Sequence, residues 1–151
     1  MLILAATRLC AAIVATWGVP ADRACPAALA IVTVAPDRAD ILAAIAWRES
    51  RFTPSAVNAR TGCWGMYQVA GRRRSRDLYA QTRAAVAKLD ESAAYCARRG
   101  DRRLLCALAG YASGPAGVRG RWYRGPRSVV REAVRVRRVF MLRASGVREQ
   151  S

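Results

Sequence analysis

The chain has 151 residues, 53% hydrophobic and 24% charged, and this balance predicts one globular domain with a substantial core. Its 26 basic residues against 10 acidic ones give a formal net charge of +16, which favours attraction to nucleic acid, anionic lipid or anionic cell-wall polymers. The absence of histidine excludes Ser-His-Asp catalysis, Cys-His catalysis and histidine-bound metals, so we expect no metal and no cofactor.

The N-terminal segment is an apolar stretch, MLILAATRLCAAIVATWG, followed by VPAD. Val19 and Ala21 could precede a cleavage point, so residues 1–21 are interpreted as a signal peptide or a membrane-proximal leader. Arg8 interrupts the stretch, which is less continuous than the run of about 20 apolar residues that spans a membrane. An ordinary core helix is the alternative. We therefore assign the folded domain to 22–145 and a tail to 146–151.

Helical spacing and helix-ending residues predict the main elements of the domain. Residues 24–35 are apolar and too short to distinguish helix from strand. A helix begins at 36–37 and ends before FTPS, since Pro54 disfavours helical geometry at the residue before it. Residues 57–71 hold three glycines and predict turns with a small hairpin. Further helices are predicted over 76–99, 101–112 and 127–143, which gives a mainly helical domain with a small β region.

The five cysteines contain no C-x-x-C pair, which argues against a zinc site or a thioredoxin-like redox centre. Cys96 and Cys106 flank a turn at Gly100, so a disulfide between them is geometrically plausible. Cys25 would then pair with Cys63. Free buried thiols are the alternative.

Glu49 occupies an unusual place for a carboxyl group. Leu42, Ile45 and Ala46 precede it by seven, four and three residues, so its side chain projects from the apolar face of its helix. Desolvation and the negative end of the helix both favour the protonated form, which is the form that a glycosidic general acid requires. A glutamate that reaches solvent or pairs with Arg48 or Arg51 is the alternative interpretation.

Three sequence blocks around Glu49 resemble a known family. ESRFTPSAVN, GCWGMYQV and LAGYASGPAGV resemble, in order and approximate spacing, the blocks ES-x-F-x-P-x-A-x-S, G-x-x-G-L-M-Q and AYNAG of the soluble lytic transglycosylases. The resemblance covers about residues 36–118. It implies an α+β, mainly α, lysozyme-like fold with a Gly-rich loop or hairpin, and peptidoglycan as the substrate.

The resemblance also implies roles for individual residues. Glu49 matches the catalytic acid and base, with Ser50 beside it. Residues that line the sugar cleft of the family match Gly65, Met66, Tyr67, Gln68 and Tyr111. Trp64, Tyr67 and Tyr111 carry flat rings that can stack on sugars or fill a core. The sequence departs from the family at Tyr67, which replaces Met, and at Ala112, which replaces Asn; the late-helix Tyr has no clear counterpart.

Glu49 has no second carboxyl group at a suitable distance in its own helix, and this predicts a lyase reaction. Glycosidases with two carboxyl groups hold them about 5–9.5 Å apart, and Asp37 and Asp40 lie roughly 13–18 Å from Glu49 along the helix. Asp77 and Asp101 could approach Glu49 only through the fold. We therefore expect cleavage of the MurNAc–GlcNAc β-1,4 bond with 1,6-anhydromuramyl products. A hydrolytic muramidase and a non-catalytic basic protein that binds nucleic acid or cell wall remain the alternatives.

The expected setting follows from this activity. The partners are peptidoglycan glycan strands in the periplasm or cell envelope, or at a virion if a phage encodes the chain. Wall turnover, a secretion or conjugation apparatus and phage entry or lysis all remain open as the biological role. We expect a monomer with no stable membrane span and no nucleic-acid partner.

Overall fold

Six helices form the part of the chain that the computed structural model describes, residues 1–70, 75–120 and 124–145, with side chains up to residue 141. They are α1 (Leu2–Trp17), α2 (Ala21–Val34), α3 (Ala39–Ser50), α4 (Leu78–Arg98), α5 (Leu104–Arg119) and α6 (Arg124–Ser145), with a 3₁₀ turn at Pro36–Arg38. Within these residues the predicted hairpin is reduced to two isolated antiparallel bridges, Val57–Trp64 and Trp64–Val69. The mainly α fold class is confirmed.

Most helix boundaries follow the predicted ones, with three exceptions. The apolar run at 24–35, whose type the sequence left open, is helical as part of α2 up to Val34. The helix predicted to end before SGPAG breaks at Gly114, which has φ 60° and ψ −156°, but a further helical turn follows it within α5. The last helix, predicted to begin at 127, begins at Arg124, while residues 71–74, 121–123 and the tail at 146–151 lie outside the described residues.

The main core forms where the apolar faces of the first three helices meet. Leu9 and Ile13 of α1, Ile31 of α2, and Leu42 and Ile45 of α3 are completely or almost completely buried. Helix α6 packs against α1 and α3, and α4 packs against α2 and α5. This arrangement fixes α3, which carries Glu49, between the N-terminal helices and α6.

Helix α1 joins this core through its aromatic end as well as its apolar face. The Trp17 ring stacks on Trp47 of α3 with centroids 5.5 Å apart, and its indole N–H donates to Glu132 of α6 at 2.6 Å.

None of the helices in the described part of the chain combines the length and the apolar character needed to cross a bilayer. The division into a leader at 1–21, a domain at 22–145 and a tail at 146–151 stays a prediction.

Two disulfides link neighbouring helices. The predicted bond between Cys96 and Cys106 is confirmed and joins the end of α4 to the start of α5. The predicted bond between Cys25 and Cys63 is wrong, because the packing of α1 on α2 brings the Cα atoms of Cys10 and Cys25 within 4.6 Å and these two cysteines pair. Cys63 is a free thiol in the loop that follows α3.

Candidate active site

Glu49 is the penultimate residue of α3, and its position follows from how that helix is buried. Leu42, Ile45 and Ala46 on the preceding turns lie in the core, whereas the side chain of Glu49 emerges at the surface. The helix ends at Ser50, and Arg51, the residue after it, adopts the left-handed conformation at φ 54°. The side chains one and two turns before Glu49 are therefore buried, whereas Glu49 itself is exposed and its carboxyl group is accessible to a ligand.

Two opposing effects act on the pKa of Glu49. Desolvation by the surrounding protein raises the pKa above its ordinary value, and this is the largest effect. The positive charges of Lys88 and Arg48 act in the opposite direction and favour the carboxylate. The group is thus crowded by protein and close to cations, yet open to solvent on one side.

Lys88 is one of two residues of this site that sequence reasoning missed. It lies on α4, half-buried, with its Nζ 4.6 Å from the centroid of the Tyr111 ring. Burial lowers the pKa of Lys88, while the charges of Cys63, Glu49 and Glu91 raise it. One signal was available: Lys88 is the single lysine among the 26 basic residues.

Tyr111 of α5 forms the wall behind Lys88. Its ring is buried, and its hydroxyl donates a hydrogen bond of 2.9 Å to the carbonyl oxygen of Tyr67. Burial raises the pKa of Tyr111 well above 10, and the charge of Glu49 raises it further. Tyr111 therefore remains a neutral hydrogen-bond donor that links α5 to the loop after α3.

Ser50 and Gln81 fasten that loop from two sides. The Ser50 hydroxyl donates to the carbonyl oxygen of Met66 at 2.8 Å and accepts from the Thr53 N–H at 3.0 Å. The buried Gln81 side chain of α4 accepts from the Met66 N–H at 2.6 Å and donates to the carbonyl oxygens of Pro54 and Ser75. Sequence reasoning also missed Gln81. The available signal was a side-chain amide next to the apolar stripe of a predicted helix.

The Gly65–Gln68 segment is compact because its backbone is tightly turned. Gly65 has φ 84°, and a Cβ atom there would lie 2.7 Å from Oε1 of Gln81, so the position accommodates only glycine without movement. Gln68 has φ 51°, and its side-chain amide donates to the carbonyl oxygens of Gly65 and Ala56. The segment thus presents a fixed backbone next to the end of α3.

The predicted site residues are brought together, but they differ in exposure. Met66, Tyr67 and Tyr111 are buried, so their side chains support the site from beneath. Ser50, at the end of α3, and Trp64 and Gln68, in the loop after α3, are partly exposed. Trp64 makes both of the β-bridges and donates its indole N–H to the carbonyl oxygen of Ser75 at 3.4 Å.

Two carboxylates that could have approached Glu49 serve other purposes. Asp77 caps the N-terminus of α4 by accepting from the backbone N–H groups of Tyr79 and Ala80. Asp101 forms an ion pair of 2.7 Å with Arg103 at the start of α5. Among the residues with described side chains, the charged groups that shift the pKa of Glu49 are cations.

Comparison with known families identifies the domain. Residues 36–129, more than half of the chain, match the family model of the transglycosylase SLT domain. The chain belongs to the SLT transglycosylase family. No curated protein and no solved structure matched the chain significantly.

Membership of the SLT family confirms the resemblance read from the three sequence blocks. The SLT domain is lysozyme-like and mainly α-helical, which agrees with the helices observed here. At the level of the family, the match supports lytic-transglycosylase activity on peptidoglycan. The matched region contains Glu49, Lys88 and Tyr111, whereas α1 and α2 precede it.

Proposed function

We propose that this SLT domain cleaves the MurNAc–GlcNAc β-1,4 bond of peptidoglycan with Glu49 as its single catalytic carboxyl group, releasing 1,6-anhydromuramyl products. The observation that carries the proposal is the setting of Glu49. It is an accessible carboxyl group whose pKa is raised by desolvation and whose charged neighbours in the described residues, Lys88 and Arg48, are both cations.

The first half of the reaction uses the protonated form of Glu49. Its proton passes to the glycosidic oxygen while the bond from that oxygen to the anomeric carbon of the muramyl sugar breaks. The acetamido oxygen of the same sugar stabilises the positive charge that develops on the ring. Desolvation raises the pKa of Glu49 and so keeps this proton available nearer to neutral pH.

The second half uses the carboxylate that remains. It takes the proton from the 6-hydroxyl of the muramyl sugar, and the 6-oxygen bonds to the anomeric carbon to close the anhydro ring. Because Lys88 and Arg48 favour the carboxylate, they stabilise the form of Glu49 that performs this step. The proton given in the first half is thereby recovered, and neither water nor a second carboxyl group is consumed.

The partly exposed neighbours of Glu49 are the proposed substrate contacts. Trp64 offers a ring face for a sugar, and Ser50 and Gln68 offer polar groups next to the scissile bond. Gly65 and the buried Met66, Tyr67 and Tyr111 act on the substrate through the backbone that they hold in place.

Hydrolysis by the same fold is the alternative, and the roles of Asp77 and Asp101 argue against it. An inverting hydrolase needs a second carboxyl group to activate water, and a retaining one needs it as the nucleophile. Asp77 is used as a helix cap and Asp101 as an ion-pair partner.

The proposal also includes export to the periplasm or cell envelope, since the substrate lies there and oxidising compartments allow disulfides to persist.

Digestion of purified peptidoglycan tests this function. We expect muropeptides that end in anhydro sugars, identified by mass spectrometry as one water lighter than the hydrolysis products. Glu49→Gln should reduce their formation by ~10²–10⁴-fold, because the amide cannot supply the proton. Asp22→Asn, a comparable change on the exposed face of α2, is the control and should keep full activity.

Three results would contradict the proposal. Reducing-end products would indicate hydrolysis instead of the lyase reaction. Full activity of Glu49→Gln would remove Glu49 from the mechanism. If folded wild-type protein did not cleave peptidoglycan, the result would favour a protein that binds without cleaving.

A further inference from the structure

The outward side of α6 carries a row of arginines that the proposed reaction does not use. Successive members of the row are three or four residues apart, so they lie on one side of the helix, and all are exposed: Arg124, Arg127, Arg131, Arg135 and Arg138. From the first to the last the row is about 21 Å long at 1.5 Å per residue. We refer to these five residues as the arginine row.

The arginine row faces solvent because the core occupies the opposite side of α6. Ala133 and Val136 are buried on that side, and Phe140 packs against the same core. Rotation of α6 about its axis would expose these apolar side chains, so the fold holds the arginines outward. Amphipathic helices bind lipid by laying an apolar face into the bilayer, and the apolar face of α6 is already used by the core.

The positive charge of the row is hardly neutralised by α6 itself. Glu132 is the one acidic residue in 124–141, the part of α6 with described side chains. It forms an ion pair of 2.9 Å with Arg135 and also accepts the indole N–H of Trp17. Among the ion pairs between described side chains, none includes another member of the row. Four of the five guanidinium groups therefore remain for an anionic ligand.

The spacing of the row suits a chain with regularly placed phosphates. Helix residues three or four positions apart have their Cβ atoms about 5–6 Å from each other, so consecutive phosphates of a phosphodiester chain can each meet one arginine. A guanidinium group binds phosphate through two parallel hydrogen bonds. Phe140, the one aromatic residue in the described part of α6, packs against the core, so this side of α6 offers nucleobases no stacking surface.

We propose that the arginine row binds a linear phosphodiester polymer that carries no bases, of the polyol-phosphate kind. This interaction is separate from cleavage at Glu49 and does not depend on it. Arginines that bind phosphates release the counterions surrounding the polymer, so the binding should weaken steeply as salt is added. A flexible chain can follow the straight row along its whole length, whereas the phosphates of a nucleic-acid duplex spiral away from it.

Titration with poly(glycerol phosphate) at several salt concentrations tests the proposal. The row variant combines Arg127→Gln, Arg131→Gln and Arg138→Gln, and circular dichroism verifies that it is folded. We expect its affinity at low salt to be lower than that of wild type on the order of 10–100-fold, because three phosphate contacts are lost. The slope of log affinity against log salt should decrease in magnitude by about 2 for the same reason.

A scattered variant is the matched control for net charge. It combines Arg23→Gln, Arg60→Gln and Arg98→Gln, three exposed arginines on α2, on the loop after α3 and on α4. It loses the same charge as the row variant, but salt screens charges that lie apart from the row. Its affinity should therefore stay within about threefold of wild type. Equal losses in the two variants would overturn the proposal, because net charge alone would then explain the binding.

Two further ligands separate the proposed partner from its rivals. Duplex DNA and vesicles with anionic headgroups are compared with poly(glycerol phosphate) at equal phosphate concentration, and we expect both to bind wild type more weakly. Tighter binding of the DNA would assign the row to nucleic acid, and tighter binding of the vesicles would assign it to a membrane surface. Either result would overturn the proposal. Because the readout is binding, these outcomes are independent of whether the wild type cleaves peptidoglycan.

Discussion

Two opposing effects act on the pKa of Glu49, and the proposed reaction with one acid needs both the protonated and the ionised form. Desolvation favours its protonated form, which would donate to the leaving group in the proposed reaction, and Lys88 favours the carboxylate, which would accept the second proton. Three groups from three helices interact electrostatically with this carboxyl group: Arg48 on α3, Lys88 on α4 and Tyr111 on α5. Lys88 is the neighbour whose change should move the protonation of Glu49 most directly.

Replacing Lys88 with Met should shift the pH profile of cleavage in a defined direction. Without the positive charge the carboxylate is less favoured, so the pKa of Glu49 rises and its acid form persists to higher pH. The alkaline limb of kcat/KM should therefore move to higher pH, while kcat falls because the carboxylate is less stabilised. Measurement requires initial rates across pH for wild type, Lys88→Met and Lys88→Arg.

Lys88→Arg is the matched control for charge. It keeps the cation, so its alkaline limb should stay close to that of wild type. A purely structural role for Lys88 would lower activity equally at every pH. An unmoved limb in folded Lys88→Met would show that Lys88 does not influence the protonation of Glu49.

At the scale of elements, α4 connects the parts of the site. Gln81 near its start fastens the Gly65–Gln68 segment, Lys88 in its middle faces Glu49, and Cys96 near its end is bonded to α5. These three residues are spaced at seven and eight positions, about two helical turns, so they share one face of the helix. A change in that face should therefore affect the loop, Glu49 or α5.

Gly65→Ala tests the fit between α4 and the loop. The new methyl group would press on the Gln81 amide, which already holds the Met66 N–H, so overpacking of about 1–3 kcal/mol adds to the strain of a positive φ. Gly62→Ala is the matched control, since φ there is 68° but a Cβ atom would meet nothing within 4 Å. Denaturant unfolding should show a larger loss of stability for Gly65→Ala, and equal losses would contradict the proposed contact.

Much of the element-level structure was predictable, because helix periods and helix-ending residues are local signals. Glu49 could be predicted because its apolar neighbours lie on the preceding two turns and its motif is contiguous. Lys88 could not, because it is 39 residues from Glu49 in sequence and the two meet only when α4 packs beside the loop. The pairing of Cys10 with Cys25 was missed for a related reason: it depends on α1 being packed as a structural helix.

At the scale of the molecule, the match to the SLT family leaves out the first two helices, yet the core includes them. The family match begins at Pro36, whereas Leu9, Ile13 and Ile31 are among the most buried side chains. Trp17 also covers Trp47, two residues before Glu49. The first two helices therefore support α3, which carries Glu49, from outside the matched region.

Deleting residues 1–18 should destabilise the protein strongly. Leu9 and Ile13 alone contribute about 2 kcal/mol each from burial, against a typical total of about 5–15 kcal/mol, and Cys25 loses its partner. Deleting residues 1–4, whose side chains are exposed, is the control and should have little effect. Thermal unfolding followed by circular dichroism measures both variants. Equal stability of the longer deletion and the full chain would support the leader interpretation of this segment.

The composition of the chain gives Lys88 a further use. Acylating reagents react with unprotonated amines, and apart from the N-terminal amine the whole molecule offers them one such side chain, beside the candidate catalytic acid. Because burial lowers the pKa of Lys88, a larger fraction of this amine is nucleophilic near neutral pH than for an ordinary lysine. Covalent labelling can therefore be directed to the cleft without mutation, and the protection of Lys88 by a bound glycan would report when the cleft is filled.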